Sequence, residues 1–216
     1  MNRFLAFALI LLCCACEKKG PELEKQDDYE FHDDCYVSAK KQYGLEKIFS
    51  DSFLIIKEKE MSKALAHLET AGFEVTTEPY RWIYYTSEEY TVEELSKCVA
   101  LTVHGYGNLK SVPGLVYSNY MYRDEAGEIL GKTNTFLIKF TKNQRDAQMI
   151  AIKEYARQHK FLILGDASTE YFRLACTNET SGNCVEMANW FLEVAGFKSA
   201  EPEFPEKTID SENQQQ

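Results

Sequence analysis

The chain has 216 residues, with 34 Asp and Glu against 24 Lys and Arg and a net charge of −10 at pH 7. Nucleic acid and anionic headgroups are held by clustered Lys and Arg, so a chain this acidic excludes a nucleic-acid partner. Its length suits one large domain or two small ones.

Residues 1–15 carry one Arg, then an unbroken apolar run from Phe4 to Ala15, followed at once by Cys16 and charge. That is the layout of a secretory signal. A membrane span needs about 20 apolar residues, so the shorter run is expected to target the chain and then be removed. Ala15 before Cys16 resembles a bacterial lipobox, in which the cysteine is acylated and becomes the new N-terminus; Cys13 and Cys14 lie in the same window behind bulkier neighbours. Lipidation at Cys16 would anchor the protein to a membrane of the bacterial cell envelope, on the periplasmic face or the cell surface, several acyl chains giving stable attachment. Residues 16–34 are charged and nearly free of aliphatic side chains, the composition of a flexible tether.

The first predicted strand is FLIIK at 53–57, followed by an amphipathic helix, EMSKALAHLETAG, with Leu65, Leu68 and Ala71 on one face, and a short strand, FEVTT. KCVALTVHGYGNLKSV reads either as a long helix or as a strand followed by a short helix. Alternation of Val99, Leu101 and Val103, with Gly105 and Gly107 as interruptions, favours the strand. PGLVYSNYMY completes the first half. FLIKF at 136–140 opens the second half and leads into a helix with Ile152, Tyr155 and Ala156 on one face, then FLILG and the alternating strand TEYFRLAC. CVEMANWFLEVA is a helix with Val185, Ala188, Trp190, Phe191 and Val194 available for burial, and AGFKSAEPEF ends the pattern. The polar, aperiodic stretch 205–216 reads as a flexible tail.

The two halves repeat. Phe53 and Phe136 are 83 residues apart, and Gly114 and Gly196 are 82 apart. Each half then runs strand, helix, strand, strand, helix, strand, which predicts an α+β fold of tandem ferredoxin-like (βαββαβ) domains over 35–131 and 132–204, with antiparallel sheets and helices on one face.

Cysteines 35, 98, 176 and 184 would lie in an oxidising compartment, where disulfides persist. Cys176 and Cys184 flank the polar loop TNETSGN and are the expected pair; Cys35 and Cys98 either pair or stay free. The histidines, His32, His67, His104 and His159, show no i, i+4 pairing and are read as having no cysteine at ligand spacing, so no metal is expected. His104 lies in HGYG, but the chain has no GxSxG elbow, and TSGN lacks the lysine of a phosphate cradle. No catalytic residue and no cofactor are expected.

The stretches TNTFLIKF, CTNETSGNCVEMANWFLEVAGF and AEPEF make residues 35–204 resemble the N-terminal region that precedes the catalytic domain in Bacteroidetes-type subtilisin-like serine proteases, a region similar to tandem propeptides. The resemblance implies a chaperone and inhibitor whose sheet packs on the protease and whose following segment lies in the active-site cleft. Here that segment would be Pro205, Glu206, Lys207 and Thr208. The Asp, His and Ser motifs of the protease are missing, so the implied role is non-catalytic: a protease-binding inhibitor or folding helper acting in trans on a subtilisin-like serine protease. The alternative is a cell-envelope module that uses the same fold to bind another protein or a polymer.

Overall fold

The computed structural model describes residues 29–38, 40–82 and 97–204, and no helix among them is long and apolar enough to cross a membrane. The fold is α+β with antiparallel sheets, as the sequence predicts.

The first sheet is built on a long strand, β2 (Lys41–Lys57), with β1 (Cys35–Ser38) folded back on its start. On one side β2 pairs with β5 (Cys98–His104), which also carries the short β3 (Glu74–Val75) and β4 (Tyr80–Trp82). On the other side lies β6 (Leu115–Asp124), edged by β7 (Ile129–Leu130). The segment with two readings is therefore a strand, followed by a single 3-10 turn at Leu109–Ser111. Helix α1 (Met61–Thr70) stops where Gly72 adopts φ +81°, letting Phe73 N–H donate to Leu68 O at 2.9 Å and Gly72 N–H to Glu69 O at 3.0 Å. This left-handed cap folds Phe73 back beside Leu68. Both join Leu54, Ile56, Leu101 and Val103 in a cluster beneath the helix.

The second sheet contains β8 (Thr135–Lys139), β9 (Leu162–Asp166), β10 (Tyr171–Ala175) and β11 (Ala200–Pro202), in the order β11-β8-β10-β9 with every neighbour antiparallel. Helix α2 (Arg145–His159) joins β8 to β9, and α3 (Cys184–Glu193) joins β10 to β11. The first sheet runs β6-β2-β5-β3 in the same sense, with the 3-10 turn standing where the second has α3.

Burial separates the two sheets. Phe53, Leu54, Ile55 and Ile56 are all fully buried, as a continuous apolar run covered on both faces should be. Leu54 and Ile56 point to α1, whereas Phe53 and Ile55 join a larger cluster that includes Tyr117, Phe136, Val185 and Trp190. In β8, Phe136 and Ile138 are buried, while Leu137 and Lys139 are half-exposed.

Two sequence expectations need correction. The helix-facing pairs Leu54/Ile56 and Phe136/Ile138 lie at the spacing of Gly114 and Gly196, which share φ +69°. The match of Phe53 to Phe136 is thus off by one residue, a slip that turns every side chain to the opposite face. The tether also ends earlier than residue 34. Tyr29 and Phe31 pack against the core and Asp33 pairs with Lys47 at 2.8 Å, so aromatic rings do the anchoring that missing aliphatics seemed to forbid.

The equivalent glycines give a graded test. Alanine at a left-handed position costs about 1–2 kcal/mol. At Gly196 a Cβ meets nothing within 4 Å, but at Gly114 it would lie 2.5 Å from Glu60 Cβ. Gly196→Ala should therefore lower the stability measured by urea unfolding by about that amount, and Gly114→Ala by clearly more.

Candidate functional site

Cys16, Pro205, Glu206, Lys207 and Thr208 lie outside the described residues. Cys176 follows β10 and Cys184 opens α3; both are fully buried, and both are free thiols, as are Cys35 and Cys98. The expected Cys176–Cys184 bridge is therefore not formed in the structure. Cys184 Sγ instead donates to Thr133 O at 3.5 Å, and Tyr117 Oη accepts from Cys184 N–H at 3.4 Å. Burial pushes the Cys184 thiol up to about 12 and the Cys176 thiol well above its ordinary value, with the nearby Cys184 adding to the shift of Cys176.

The first sheet and α3 meet at a polar cleft of about 540 Å³. Asn183 caps α3: its Oδ1 accepts from Val185 N–H at 2.9 Å and Glu186 N–H at 3.1 Å, while its own N–H donates to Glu186 Oε2 at 2.7 Å. The pattern Asn-x-x-Glu ahead of an apolar run is the signature of this reciprocal cap. It was the signal in the sequence that could have located the cleft. Asn183 Nδ2 also donates to Asp33 Oδ2 at 3.0 Å, as do Tyr122 Oη at 2.7 Å and Lys47 Nζ at 2.8 Å. Burial alone would raise the Asp33 carboxyl, but Lys47, Tyr122 and Asn183 together outweigh it and hold it below its ordinary 3.8. Burial raises Glu186. Asn119 Oδ1 lies 3.2 Å from Tyr122 Oη, and its buried Nδ2 has no partner among the described residues. The cleft can hold a small polar group, but the Asp33–Lys47 ion pair on its wall is engaged in joining the N-terminal segment to the first sheet, as the Asn183–Asp33 hydrogen bond joins it to α3.

The histidines are dispersed. His104 Nδ1 lies 3.0 Å from Asp51 Oδ1, His67 Nε2 3.2 Å from Ser111 Oγ, and His159 Nδ1 3.2 Å from Ser181 Oγ. Among the described residues no carboxylate bonds to His67 or His159, so neither serine contact is completed into a triad. His159 packs on Trp190 with centroids 4.4 Å apart, and burial lowers its pKa. His32 differs. Its Nδ1 lies 3.0 Å from Asp34 Oδ1 and its Nε2 lies 3.1 Å from Glu193 Oε1, and although burial opposes the charge, these carboxylates raise its pKa. His32, Asp34 and Cys35 bring one ligand atom each within 4.8 Å of one another, a grouping the sequence reading passed over in the spacing His-x-x-Cys.

The second sheet presents a helix-free face. Leu137, Lys139, Tyr171 and Arg173 alternate with the buried residues of β8 and β10 and remain half-exposed. Arg173 is paired in bidentate fashion with Glu203, Lys139 is paired with Glu170, and Lys139 Nζ lies 5.3 Å from the Tyr171 ring centre. Ser38 from β1 reaches the β11 edge through Glu201, and Tyr36 packs on Phe204 with centroids 5.2 Å apart.

Asp33 makes stability depend on acid. Its folded pKa lies below the ordinary 3.8, so its contribution is complete above that value and disappears as pH falls through the lower folded one. Asp33→Asn should cost about 2 kcal/mol at pH 7, and urea unfolding at pH 3 should show a smaller gap between the variant and the parent. The buried thiols of Cys176 and Cys184 should resist iodoacetamide in the native protein and react once it is unfolded without reductant. A linked pair of peptides in oxidised protein would instead restore the expected disulfide.

No protein-family model matches this chain, and a search of curated proteins finds no match either.

Proposed function

We propose that the protein is a non-catalytic, exported lipoprotein, anchored through Cys16, that docks in trans on a subtilisin-like serine protease as an inhibitor or folding helper. In this reading it consists of two ferredoxin-like units in tandem. The shared order β6-β2-β5-β3 and β11-β8-β10-β9 supports the repeat, with the second helix of the first unit reduced to a 3-10 turn.

One observation carries the proposal: the two helix-free sheet faces are used differently. In the first unit that face, with Phe53, Ile55, Ala100 and Tyr117, shares a core with Val185, Ala188 and Trp190 of α3. Seven of the ten residues of α3 are buried, as befits a helix covered on more than one side. The matching face of the second unit, with Leu137, Lys139, Tyr171 and Arg173, carries no helix and is partly exposed. A face that takes a helical layer within the chain fits a helical layer on a partner. β11 then leads towards Pro205, Glu206, Lys207 and Thr208. As an extended strand, this segment gains affinity from main-chain hydrogen bonds and specificity from alternate side chains.

The test uses a subtilisin-like protease from the same envelope. Deleting residues 205–216 should abolish most inhibition while docking and the far-ultraviolet circular dichroism spectrum persist. Leu137→Glu combined with Tyr171→Glu should weaken docking at least about tenfold, since buried interface anchors are worth more than about 1 kcal/mol each. If both changes leave binding and inhibition unaltered, the open face and the tail are not the docking surface. Binding to another envelope protein or to a polymer, and to no protease, would favour the alternative interaction module.

A further inference from the structure

We infer that His32, Asp34 and Cys35 form a binding site for a borderline divalent transition metal, with Zn²⁺ the best match. The three residues offer an imidazole nitrogen, a carboxylate oxygen and a thiol sulfur, and these atoms already lie within 4.8 Å of one another. Zinc bonds to such ligands span about 2.0–2.3 Å, which places tetrahedral ligands about 3.3–3.8 Å apart, so rotation of the exposed Asp34 side chain and small adjustments of the half-buried His32 and Cys35 close the set. The mixture of nitrogen, oxygen and sulfur suits zinc better than Mg²⁺ or Ca²⁺, which prefer oxygen alone.

The surroundings are built as a metal site requires. A metal-bound histidine commonly donates its second ring N–H to a carboxylate, which fixes the ring and its tautomer. With Nδ1 on the metal, His32 Nε2–H would donate to Glu193, whose Oε1 lies 3.1 Å away. Glu193 is itself held by Tyr29, whose hydroxyl donates to Oε2 at 3.0 Å. The ligand-bearing backbone is fixed from below by Asn189, a nearly fully buried residue of α3. Its Nδ2 donates to His32 O at 3.0 Å and to Cys35 O at 2.9 Å, spanning the whole ligand segment with one side chain. Asp33, between the ligands, points the other way to Lys47, Tyr122 and Asn183, so the extended segment divides its carboxylates between the interior and the surface. Asp34 has a side chain 82% exposed, leaving the outer side of the site open. Three protein ligands and an open position leave room for a water or for a donor from a partner. On binding, the metal displaces the protons of the Cys35 thiol and His32 Nδ1, and both pass to solvent; no redox change is involved.

The test is a titration of the full chain in detergent, stripped with a chelator, with Co²⁺ as a spectroscopic probe. One equivalent of Co²⁺ should give a thiolate-to-cobalt charge-transfer band, and Zn²⁺ should displace it. Cys35→Ser should remove that band. Asp34→Asn alters a side chain that is 82% exposed, and should weaken Co²⁺ binding at least tenfold while keeping the far-ultraviolet circular dichroism spectrum of the parent. Glu193→Gln should keep the band but weaken binding about 10–100-fold, as loss of an outer-shell partner does. Absence of a band in the parent chain, a band unchanged in Cys35→Ser, or affinity unchanged in Asp34→Asn would each overturn the site.

Discussion

The structure depends on the burial of α3. Its Trp190 and Phe191 are fully buried, and Trp190 stacks edgewise on Tyr155 with centroids 5.0 Å apart, while Phe191 meets Phe136, Phe161 and Phe197. The same cluster takes in Phe53, Ile55 and Tyr117 from the first sheet. Burying a helix on several sides removes its polar face, so its polar residues must be satisfied inside. Asn183 and Asn189 do this in different ways. The first closes the N-terminus of the helix and binds Asp33, and the second donates to the backbone at His32 and Cys35. An unmade bond at either position would leave a buried polar group uncompensated, at a cost of about 1–3 kcal/mol.

This requirement explains why the N-terminal segment is docked. Residues 29–35 supply the partners that α3 lacks elsewhere: a carboxylate for Asn183, carbonyls for Asn189, and Tyr29 and His32 for Glu193. Any tether to a membrane would thus begin at the surface of α3, close to the proposed metal ligands. The open face of the second sheet is carried by other elements, β8 and β10, so a protein partner and a metal ion could be bound independently.

The polar cleft between the first sheet and α3 reads as a joint. Lys47, Tyr122 and Asn183 all converge on one carboxyl group, and a charge held by three donors is fixed in place. Among the described residues, the Nδ2 of Asn119 is a buried donor there with no partner.

The sequence by itself determined the elements whose signals are local. Periodicity located α1, α2 and α3 and the strands β5, β8, β9 and β10, because amphipathic spacing and alternation are properties of neighbouring residues. The glycine pair 114 and 196 also announced the repeat at its correct offset, since both need a backbone conformation that only glycine adopts without strain. The 17-residue length of β2, the hairpin with β1 and the docking of residues 29–34 were not legible. The first and last of these depend on partners far away in the chain, whereas the β1 hairpin is a local pairing: β2 extends because β6 pairs with its start, and Tyr29 and Phe31 are half-buried only because α3 and its neighbours are there to cover them. The tertiary structure alone decided which face of each sheet is covered. FLIIK and FLIKF read alike as letters, yet a one-residue difference in register turns their side chains to opposite faces, and register is settled by packing between strands and helices, not by the strand itself.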